Sequence, residues 1–460
     1  MKELQYVLCN IPFYFNENDI KNIQNNYKTF IFPKKKLIFK FVKHNTFCDF
    51  LLSLNNIISN LDFSSKYSQN VLLIDGRILF TSKIKDINCN DNKIFNLSLH
   101  NTSLNLKKKV YYECDINENL PFYLYSFIYI NKKYINFVLL EINNEIKKYN
   151  SFVNYYDDII LLNYFHKNIN KINEIHINYR IVDYDFFTMT TFGRMGRLGN
   201  QIFQWMFLNA LCKKHNRILK IPFTFNHIHD KFSIHLNKLF NVKINYLSSL
   251  DFYKPIYMYK ETKFNYNEIL ENINFDKYNN YDFYGYYQSE KYFKNININD
   301  CLKIHDGIND ECKKNIERYK NYNKDSTLIS LHIRRGDLVQ AKQYGPSISN
   351  KYIQESINYM RQNYNKIVWL IFSDDIDWCQ KTLKMKEAKY YPDGNLVEDF
   401  IMMSLCEHHI ISNSTFSWWA AYLNNNTSKK IICPSEWFYD NFLPKGEDDT
   451  DLVPSSWIRF

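Results

Sequence analysis

The sequence predicts an α/β protein in which two units built on parallel sheets follow a separate N-terminal domain of mixed α/β type. Three observations support this fold class. From residue 325 onward, short apolar runs alternate with longer amphipathic runs, which is typical of a parallel sheet. Polar residues follow the apolar runs, where strands are expected to end. A glycine-rich turn near residue 195 precedes an amphipathic run. We place the domain boundaries at 1–180, 185–324 and 325–460.

The last unit has the most regular pattern. It predicts strands over 327–333, 367–372, 409–412 and 430–433, and helices over 351–364, 377–384, 396–408 and 415–423. Three of these strands are followed by polar groups. In parallel sheets, ligands bind beyond the carboxyl ends of the strands, so we expect the three groups to open into one crevice. They are Arg334 with Arg335, Ser373 with Asp374 and Asp375, and Asn413 with Ser414.

The middle unit is predicted to begin with a strand over 186–192, and a helix is predicted over 202–215. Between them Gly193, Gly196 and Gly199 permit a tight turn and close approach of the backbone to a ligand. This turn matches neither the Rossmann fingerprint nor a Walker loop. Residues 1–180 mix strand-like and helical runs without a catalytic cluster, so we expect a domain of unknown function with a linker near 165–182.

Composition argues against several classes of protein. The 58 basic and 48 acidic residues give a net charge of +10, but there is no long basic tract and no nucleic-acid motif, so no nucleic-acid partner is expected. The 10 cysteines are scattered without Cys-x-x-Cys spacing, which suits free thiols in a reducing compartment. Neither a signal-peptide core nor a membrane span is visible, which predicts a soluble, cytoplasmic protein.

The run from His332 to Asp337, His-Ile-Arg-Arg-Gly-Asp, is the most informative stretch. Adjacent guanidiniums at a strand end fit a diphosphate, because their planar donor forks can bind phosphate oxygens bidentately. The alternative is a surface arginine pair in salt bridges with Asp337, a common arrangement of little consequence. A nucleotide-type anion is therefore the first hypothesis for a ligand.

Four ordered motifs carry a resemblance to a known family. They begin at Gly196 (Gly-Arg-Leu-Gly-Asn-Gln-Ile-Phe-Gln), at His332, at Phe372 (Phe-Ser-Asp-Asp) and at Ile411 (Ile-Ser-Asn-Ser-Thr-Phe-Ser-Trp-Trp). In order and spacing they resemble the α-1,2-fucosyltransferases of glycosyltransferase family 11, over about 185–460. The resemblance implies a GT-B fold, with two Rossmann-like halves facing a cleft. It also implies that the C-terminal half binds GDP-fucose and the other half meets the acceptor.

The resemblance further implies roles for individual residues. Arg334 would contact the β-phosphate, while His332 and Asp374 would lie near the guanine. Arg334 and Asp337 are the expected catalytic residues, although Asp337, Glu398 and Asp399 all stay candidates for the general base. The expected donor-binding residues are Gly196, Gly199, Asn200, Gln201, His332, Arg334, Arg335, Ser373, Asp374, Asp375, Asn413, Ser414, Thr415 and Ser417.

The expected reaction is inverting transfer of L-fucose from GDP-fucose to O2 of a galactoside on a glycan or glycoprotein acceptor. No cofactor and no metal ion are expected, although Asp374, Asp375 and Asp377 also resemble a Mg²⁺ or Mn²⁺ site. Another linkage or nucleotide sugar is the alternative within the enzyme class, with a possible second activity in the N-terminal domain. A non-catalytic nucleotide-sugar-binding module is the alternative from another class.

Overall fold

The computed structural model describes residues 184–460, except for 223–234, 248–250, 252–255, 269, 271–272, 274, 276–278, 323, 337–347, 393–394 and 440–441. Before residue 184 it describes residue 16 and the following elements. They are β1 (Leu4–Ile11), α1 (Glu17–Phe30), β2 (Lys36–Lys43), β3 (Ser68–Asp75), β4 (Ile78–Phe80), β5 (Ile94–Ser98), β6 (Tyr123–Asn131), β7 (Ile172–Ile175) and β8 (Tyr179–Ile181).

These N-terminal elements form a mixed sheet with the strand order β2-β1-β3-β6-β5-β7. Strand β1 runs parallel to β2 and β3, whereas β6 runs antiparallel to β3 and β5. The hydroxyl of Tyr184 donates to the carboxylate of Asp19 at 3.0 Å, which connects α1 to the start of the next unit. The mixed α/β character agrees with the sequence pattern, while the division into three domains stays a prediction.

The middle unit has a parallel sheet with the order β10-β9-β12-β11. After β9 the chain adds β10 on one side of β9, and then β11 and β12 on the other side. The boundary between β9 and β12 is therefore a topological switch point. The bounds are β9 (Phe186–Thr188), α2 (Leu198–His215), β10 (Ile218–Leu219), α3 (Leu236–Leu239), β11 (Ile256–Lys260), β12 (Asn280–Tyr284), α4 (Ile298–Cys301) and α5 (Asp306–Tyr322), with a 3₁₀ turn at Glu290–Tyr292.

Two predicted boundaries in this unit are wrong. The first strand ends at Thr188 rather than at residue 192, because the Thr190 amide and hydroxyl donate to the Asp282 carboxylate at 2.8 and 2.6 Å. The helix begins at Leu198 rather than at residue 202. The glycine-rich segment therefore leads into the first turn of α2 and places part of the motif on the helix.

The last unit has an all-parallel sheet with the order β15-β14-β13-β16-β17-β18. Its switch point lies between β13 and β16, as the predicted crevice requires. The bounds are β13 (Thr327–Ile333), α6 (Asn350–Asn363), β14 (Ile367–Ser373), α7 (Ile376–Leu383), β15 (Ala388–Pro392), α8 (Leu396–Ser404), β16 (His408–Ile410), α9 (Thr415–Tyr422), β17 (Ile431–Cys433) and β18 (Ile458–Arg459).

The sequence pattern predicted most of these elements and missed three features. Strand β15 was not predicted, since a short edge strand that ends in proline carries little periodic signal. Helix α8 stops at Ser404 instead of continuing to residue 408, because His408 already belongs to β16. The C-terminal tail adds β18 beside β17, where Cys433 pairs with Arg459.

The two units share a continuous core where α2 packs against α9. The Phe203 ring lies 4.6 Å from the Trp418 ring and 4.9 Å from the Trp419 ring, measured between centroids, and both tryptophans are fully buried. Aromatic pairs at such distances contribute beyond the burial of their area. This packing fixes the N-terminal ends of the two helices relative to each other.

A buried ion pair provides a test of the middle unit. The Lys220 ammonium lies 2.7 Å from an Asp251 carboxylate oxygen, and both side chains are only 1% exposed. Replacing Lys220 with methionine leaves the carboxylate buried without this cation, so we expect a loss of about 3–5 kcal/mol in the free energy of unfolding. Denaturant titration against Lys351→Met, which alters a mostly exposed pair with Glu355, measures the difference. Equal stability of the two variants would contradict the prediction.

Two further findings concern membrane-spanning helices and cysteines. Within the part of the chain that the structure describes, no helix is long and apolar enough to cross a membrane. The described cysteines, which are Cys9, Cys212, Cys301, Cys312, Cys379, Cys406 and Cys433, are free thiols.

Candidate functional site

A cavity of about 520 Å³ lies between the two switch points. The turn after β9 and the loop after β12 line it from the middle unit, and the ends of β13, β14 and β16 line it from the last unit. Its walls consist of Gly196, Arg197, Leu198, Gly199, Asn200, Phe264, Tyr286, Gln288, His332, Arg334, Phe372, Ser373, Asp374, Leu396, Asp399, Asn413, Ser414, Thr415, Phe416, Trp437, Phe438 and Phe442. The three predicted strand ends therefore do open into one crevice.

Ser412 joins two of these strand ends. Its hydroxyl donates to the His332 carbonyl at 2.7 Å and accepts from the Arg334 amide at 2.9 Å. The bond fixes the backbone of Arg334 at the switch point between β13 and β16, where its half-buried side chain lines the cavity. A guanidinium held at this position can bind an anionic ligand bidentately.

Two helix N-termini meet at the cavity, those of α2 and α9. In these two described helices the N-cap side chains, Arg197 and Ser414, make no capping hydrogen bond, and no acidic residue lies in either first turn. The positive ends of both helix dipoles therefore lack carboxylate compensation within the first turn. Backbone amides at such ends form an anion site without any charged side chain.

Two glycines make this convergence possible. A Cβ atom on Gly199 would lie 2.4 Å from the Thr415 carbonyl carbon and 2.6 Å from the Phe416 nitrogen, so the ends of α2 and α9 are in backbone contact. Gly196 has φ +84°, and a Cβ atom there would collide with the Asn200 side chain. A residue with a side chain fits at position 199 only if the helix ends separate. At position 196 it would need a left-handed backbone and would displace the Asn200 side chain.

His332 lies at the wall of the cavity and is neutral. Burial, and then the charge of Arg334, lower the pKa of His332 from 6.5 to about 3. Its Nδ1 lies 2.8 Å from the Ser417 hydroxyl, which itself donates to the Ser414 carbonyl at 3.3 Å. A neutral imidazole that donates from Nδ1 to this hydroxyl keeps a lone pair on Nε2, which can accept a ligand N–H.

The buried histidines give stability a pH dependence. Burial also lowers the pKa of His409 to about 3, and in the folded state neither histidine takes up a proton between pH 6.5 and 3. The unfolded chain does take up these protons, so the free energy of unfolding falls as the pH drops below 6.5. Each buried histidine contributes a fall of about 1.4 kcal/mol for each pH unit. Melting curves should therefore show that the melting temperature falls less between pH 7 and pH 5 in His409→Gln than in His305→Gln. The second variant is the control, because its hydrogen bond lies at the surface.

The second arginine of the pair points away from the cavity. The Arg335 side chain donates to Asp375 at 3.1 Å and stacks on Trp378, with the guanidinium carbon 3.9 Å from the ring centroid. Its backbone amide donates to Asp374 Oδ1 at 2.8 Å. Arg335 therefore positions Asp374, which does line the cavity, and Asp375 caps α7 through the Trp378 amide.

The structure brings ten of the residues predicted to bind the donor to the cavity wall: Gly196, Gly199, Asn200, His332, Arg334, Ser373, Asp374, Asn413, Ser414 and Thr415. Four others, Gln201, Arg335, Asp375 and Ser417, lie behind the wall and bond to residues that form or support it. Gln201, for example, donates from Nε2 to the Gly196 carbonyl at 3.5 Å. Asp337 lies outside the described residues. Among the described residues, no group of three or more His, Cys, Asp or Glu side chains is arranged to hold a metal ion.

Sequence reasoning missed the aromatic part of the wall and the amide of Gln288. Gln288 Nε2 donates to Asn200 Oδ1 at 2.7 Å, which connects the loop after β12 to the first turn of α2. Phe264, Phe438 and Phe442 come from loops whose sequence has no periodic pattern. The only available signal was the dense aromatic run from Trp437 to Phe442, Trp-Phe-Tyr-Asp-Asn-Phe.

Comparison with known proteins places this site in a family. Residues 162–458 match the model of Glycosyl transferase family 11. An α-1,2-colitosyltransferase from Escherichia coli is 30% identical over 217 residues, covering 43% of this chain and 68% of that protein. The galactoside α-(1,2)-fucosyltransferase 2 of Gorilla gorilla gorilla is 26% identical over 247 residues, covering 51% of this chain and 69% of that protein.

Among solved structures, the fucosyltransferase NodZ from Bradyrhizobium is 12% identical and covers 53% of this chain and 94% of its own, with a TM-score of 0.33. That likeness is too weak to establish a common fold. The family match spans more than half of the chain and contains the glycine turn, Arg334 and the Ser-Asn-Ser-Thr turn, which all contribute to the cavity wall. The chain is a glycosyltransferase and belongs to glycosyl transferase family 11.

Proposed function

We propose that this glycosyltransferase transfers L-fucose from GDP-fucose to O2 of a galactoside, with inversion at C1, and that its two sheet units form a GT-B arrangement. The observation that carries the proposal is the convergence of two helix N-termini on a cavity lined by Arg334. Such a site fits the diphosphate of a nucleotide sugar. The α-1,2 linkage rests on the named activities of the relatives.

The other cavity wall suits a guanine. Asp374 is a hydrogen-bond acceptor held in place by the Arg335 amide, and His332 offers an acceptor nitrogen. Guanine presents N–H donors at N1 and N2, so a carboxylate and a neutral imidazole complement it. One cavity therefore combines hydrogen-bond donors that suit a phosphate with hydrogen-bond acceptors that suit a guanine. This combination supports GDP as the leaving group.

In the proposed mechanism the acceptor hydroxyl attacks fucose C1 opposite the departing GDP, so the β-linked donor gives an α-linked product. The bond from C1 to the β-phosphate oxygen breaks, and negative charge builds on the β-phosphate. Arg334 and the first-turn amides of α2 and α9 would stabilise that charge where it develops. The hydroxyl proton leaves to a carboxylate acting as general base.

Three carboxylates are candidates for that base. Asp399 lines the cavity, and Glu398 is exposed in the same first turn of α8. Asp337 follows the arginine pair by two residues and keeps its place as the catalytic candidate suggested by the motif. Separate Asp337→Asn, Glu398→Gln and Asp399→Asn variants assign the role, because loss of the base is expected to lower kcat by about 10²–10⁴-fold.

The test is incubation with GDP-fucose and β-galactoside-terminated glycans in EDTA, followed by mass spectrometry. We expect a mass gain of one deoxyhexose, which an α-1,2-specific fucosidase removes. We propose that no metal ion is needed, because Arg334 and the helix ends already supply positive potential to the leaving group. Activity that appears only after addition of Mn²⁺ would overturn this part of the proposal.

A second donor has a specific observation in its favour. The relative that is 30% identical is an α-1,2-colitosyltransferase, so a colitose donor is the alternative. Parallel assays with GDP-fucose and GDP-colitose decide between them. A higher kcat/KM for the colitose donor would replace fucose in the proposal.

A further inference from the structure

Four aromatic side chains line one part of the cavity, and we call them the aromatic wall: Phe264, Tyr286, Phe438 and Phe442. Two of them are exposed, Tyr286 at 37% and Phe442 at 44%. The first two come from the middle unit and the other two from the last unit. Clustered apolar rings that face solvent at a cavity usually mark a surface that a ligand covers.

Three rings of the wall are held in a defined arrangement by contact with one another, and Tyr286 is held through its backbone. Phe438 and Phe442 stack with centroids 5.0 Å apart and an interplanar angle of 12°, and Phe264 meets Phe438 edge-on at 5.1 Å. The Phe264 amide donates to the Glu447 carboxylate at 2.5 Å, and the Tyr286 amide donates to Glu261 at 2.7 Å. The three phenylalanine rings and the backbone of Tyr286 are therefore preorganised, which lowers the entropy cost of binding.

The chemistry around the wall fits a sugar. None of its side chains is a carboxylate or a cation, and the amides of Gln288 and Asn200 line the same cavity. A pyranose has one face rich in C–H groups and a rim of hydroxyls. Aromatic rings complement the C–H face, and side-chain amides complement the hydroxyls. The diphosphate of the donor, in contrast, is suited to Arg334 and the helix ends.

We propose that the aromatic wall is the acceptor subsite: the terminal pyranose of a neutral glycan stacks its C–H face on Tyr286 and Phe442, while its hydroxyls bond to Gln288 and Asn200. This inference rests on the proposed function, since it gives the donor and the acceptor adjoining parts of one cavity. It also explains why the wall is built from both units, because a bound acceptor then spans the boundary between them.

The test measures binding without turnover. N-Acetyllactosamine is titrated into the full chain in the presence of GDP, and binding is followed by saturation-transfer NMR. Tyr286→Ala and Phe442→Ala should each raise the Kd of N-acetyllactosamine about tenfold or more, with the GDP affinity unchanged. Tyr286→Phe should keep the wild-type Kd. Tyr257→Ala is the matched control, because Tyr257 is 45% exposed on β11 and does not line the cavity.

Two results would overturn the inference: wild-type protein that does not bind N-acetyllactosamine, or alanine variants that bind it as tightly as wild type. Either result is separable from a failure of the proposed function. That function fails when GDP-fucose is not used as a donor, whereas this binding experiment contains no donor sugar. A protein that binds N-acetyllactosamine through the wall and uses another nucleotide sugar would retain the inference and lose the fucose assignment.

Discussion

Replacing Arg334 with lysine is expected to lower kcat for fucosyl transfer by about 10²–10³-fold, equivalent to about 2.7–4 kcal/mol of transition-state stabilisation. Lysine keeps the positive charge but loses the planar donor fork that binds two phosphate oxygens at once. The backbone at this position is fixed by the bond between the Arg334 amide and Ser412, so the variant should keep its fold. Initial rates at saturating GDP-fucose and acceptor measure the effect.

The matched control is Arg361→Lys. Arg361 lies on α6, exposed and paired with Glu387 at 2.6 Å, away from the cavity. Its replacement should leave kcat within about twofold of wild type, since exposed ion pairs contribute little. If Arg334→Lys also retained wild-type kcat, Arg334 would not act on the leaving group, and the anion site would have to rest on the helix ends alone.

Replacing Gly199 with alanine is expected to weaken GDP binding at least about tenfold and to lower the melting temperature. The new methyl group would lie 2.4 Å from the Thr415 carbonyl carbon, a backbone atom that cannot rotate away. The N-termini of α2 and α9 must then separate, and overpacking of this kind costs about 1–3 kcal/mol. Separation moves the first-turn amides of both helices from the positions that a diphosphate requires.

Gly307→Ala serves as the control for this substitution. Gly307 lies in the first turn of α5, where a Cβ atom would meet no heavy atom within 4 Å. Alanine should be neutral or slightly stabilising there, because glycine is the poorer helix former. Titration calorimetry with GDP and thermal melts separate the two effects. An unchanged GDP affinity in Gly199→Ala would show that contact between the helix ends is not needed for binding.

The sequence pattern predicted the strands that deliver the site because their signal is local. The buried run of β13 is bounded by polar residues on both sides, and the structure places that strand at Thr327–Ile333 as predicted. The convergence of three strand ends follows from parallel pairing alone. The start of α2 could not be predicted in the same way, because glycines usually indicate a turn. In the structure Gly199 lies inside the helix, where its lack of a side chain lets α2 contact α9.

Other features depend on contacts distant in sequence. Arg334 and Arg335 are adjacent and chemically identical, so no local rule distinguishes their directions. Asp375 and Trp378, about forty residues farther along, bind Arg335 and leave Arg334 at the cavity. The aromatic wall likewise combines loops from both units. Its position depends on the packing of α2 against α9, which periodicity cannot predict.

Under the proposed function, the cavity binds the diphosphate of a guanine nucleotide between Arg334 and the two helix ends. Titration calorimetry in EDTA should compare GDP with GMP, because the two ligands differ only in the β-phosphate. We predict that GDP binds at least about tenfold more tightly than GMP, since a charge-assisted hydrogen bond contributes about 1.5–3 kcal/mol. Equal affinities for GDP and GMP would show that Arg334 and the helix ends do not bind the β-phosphate.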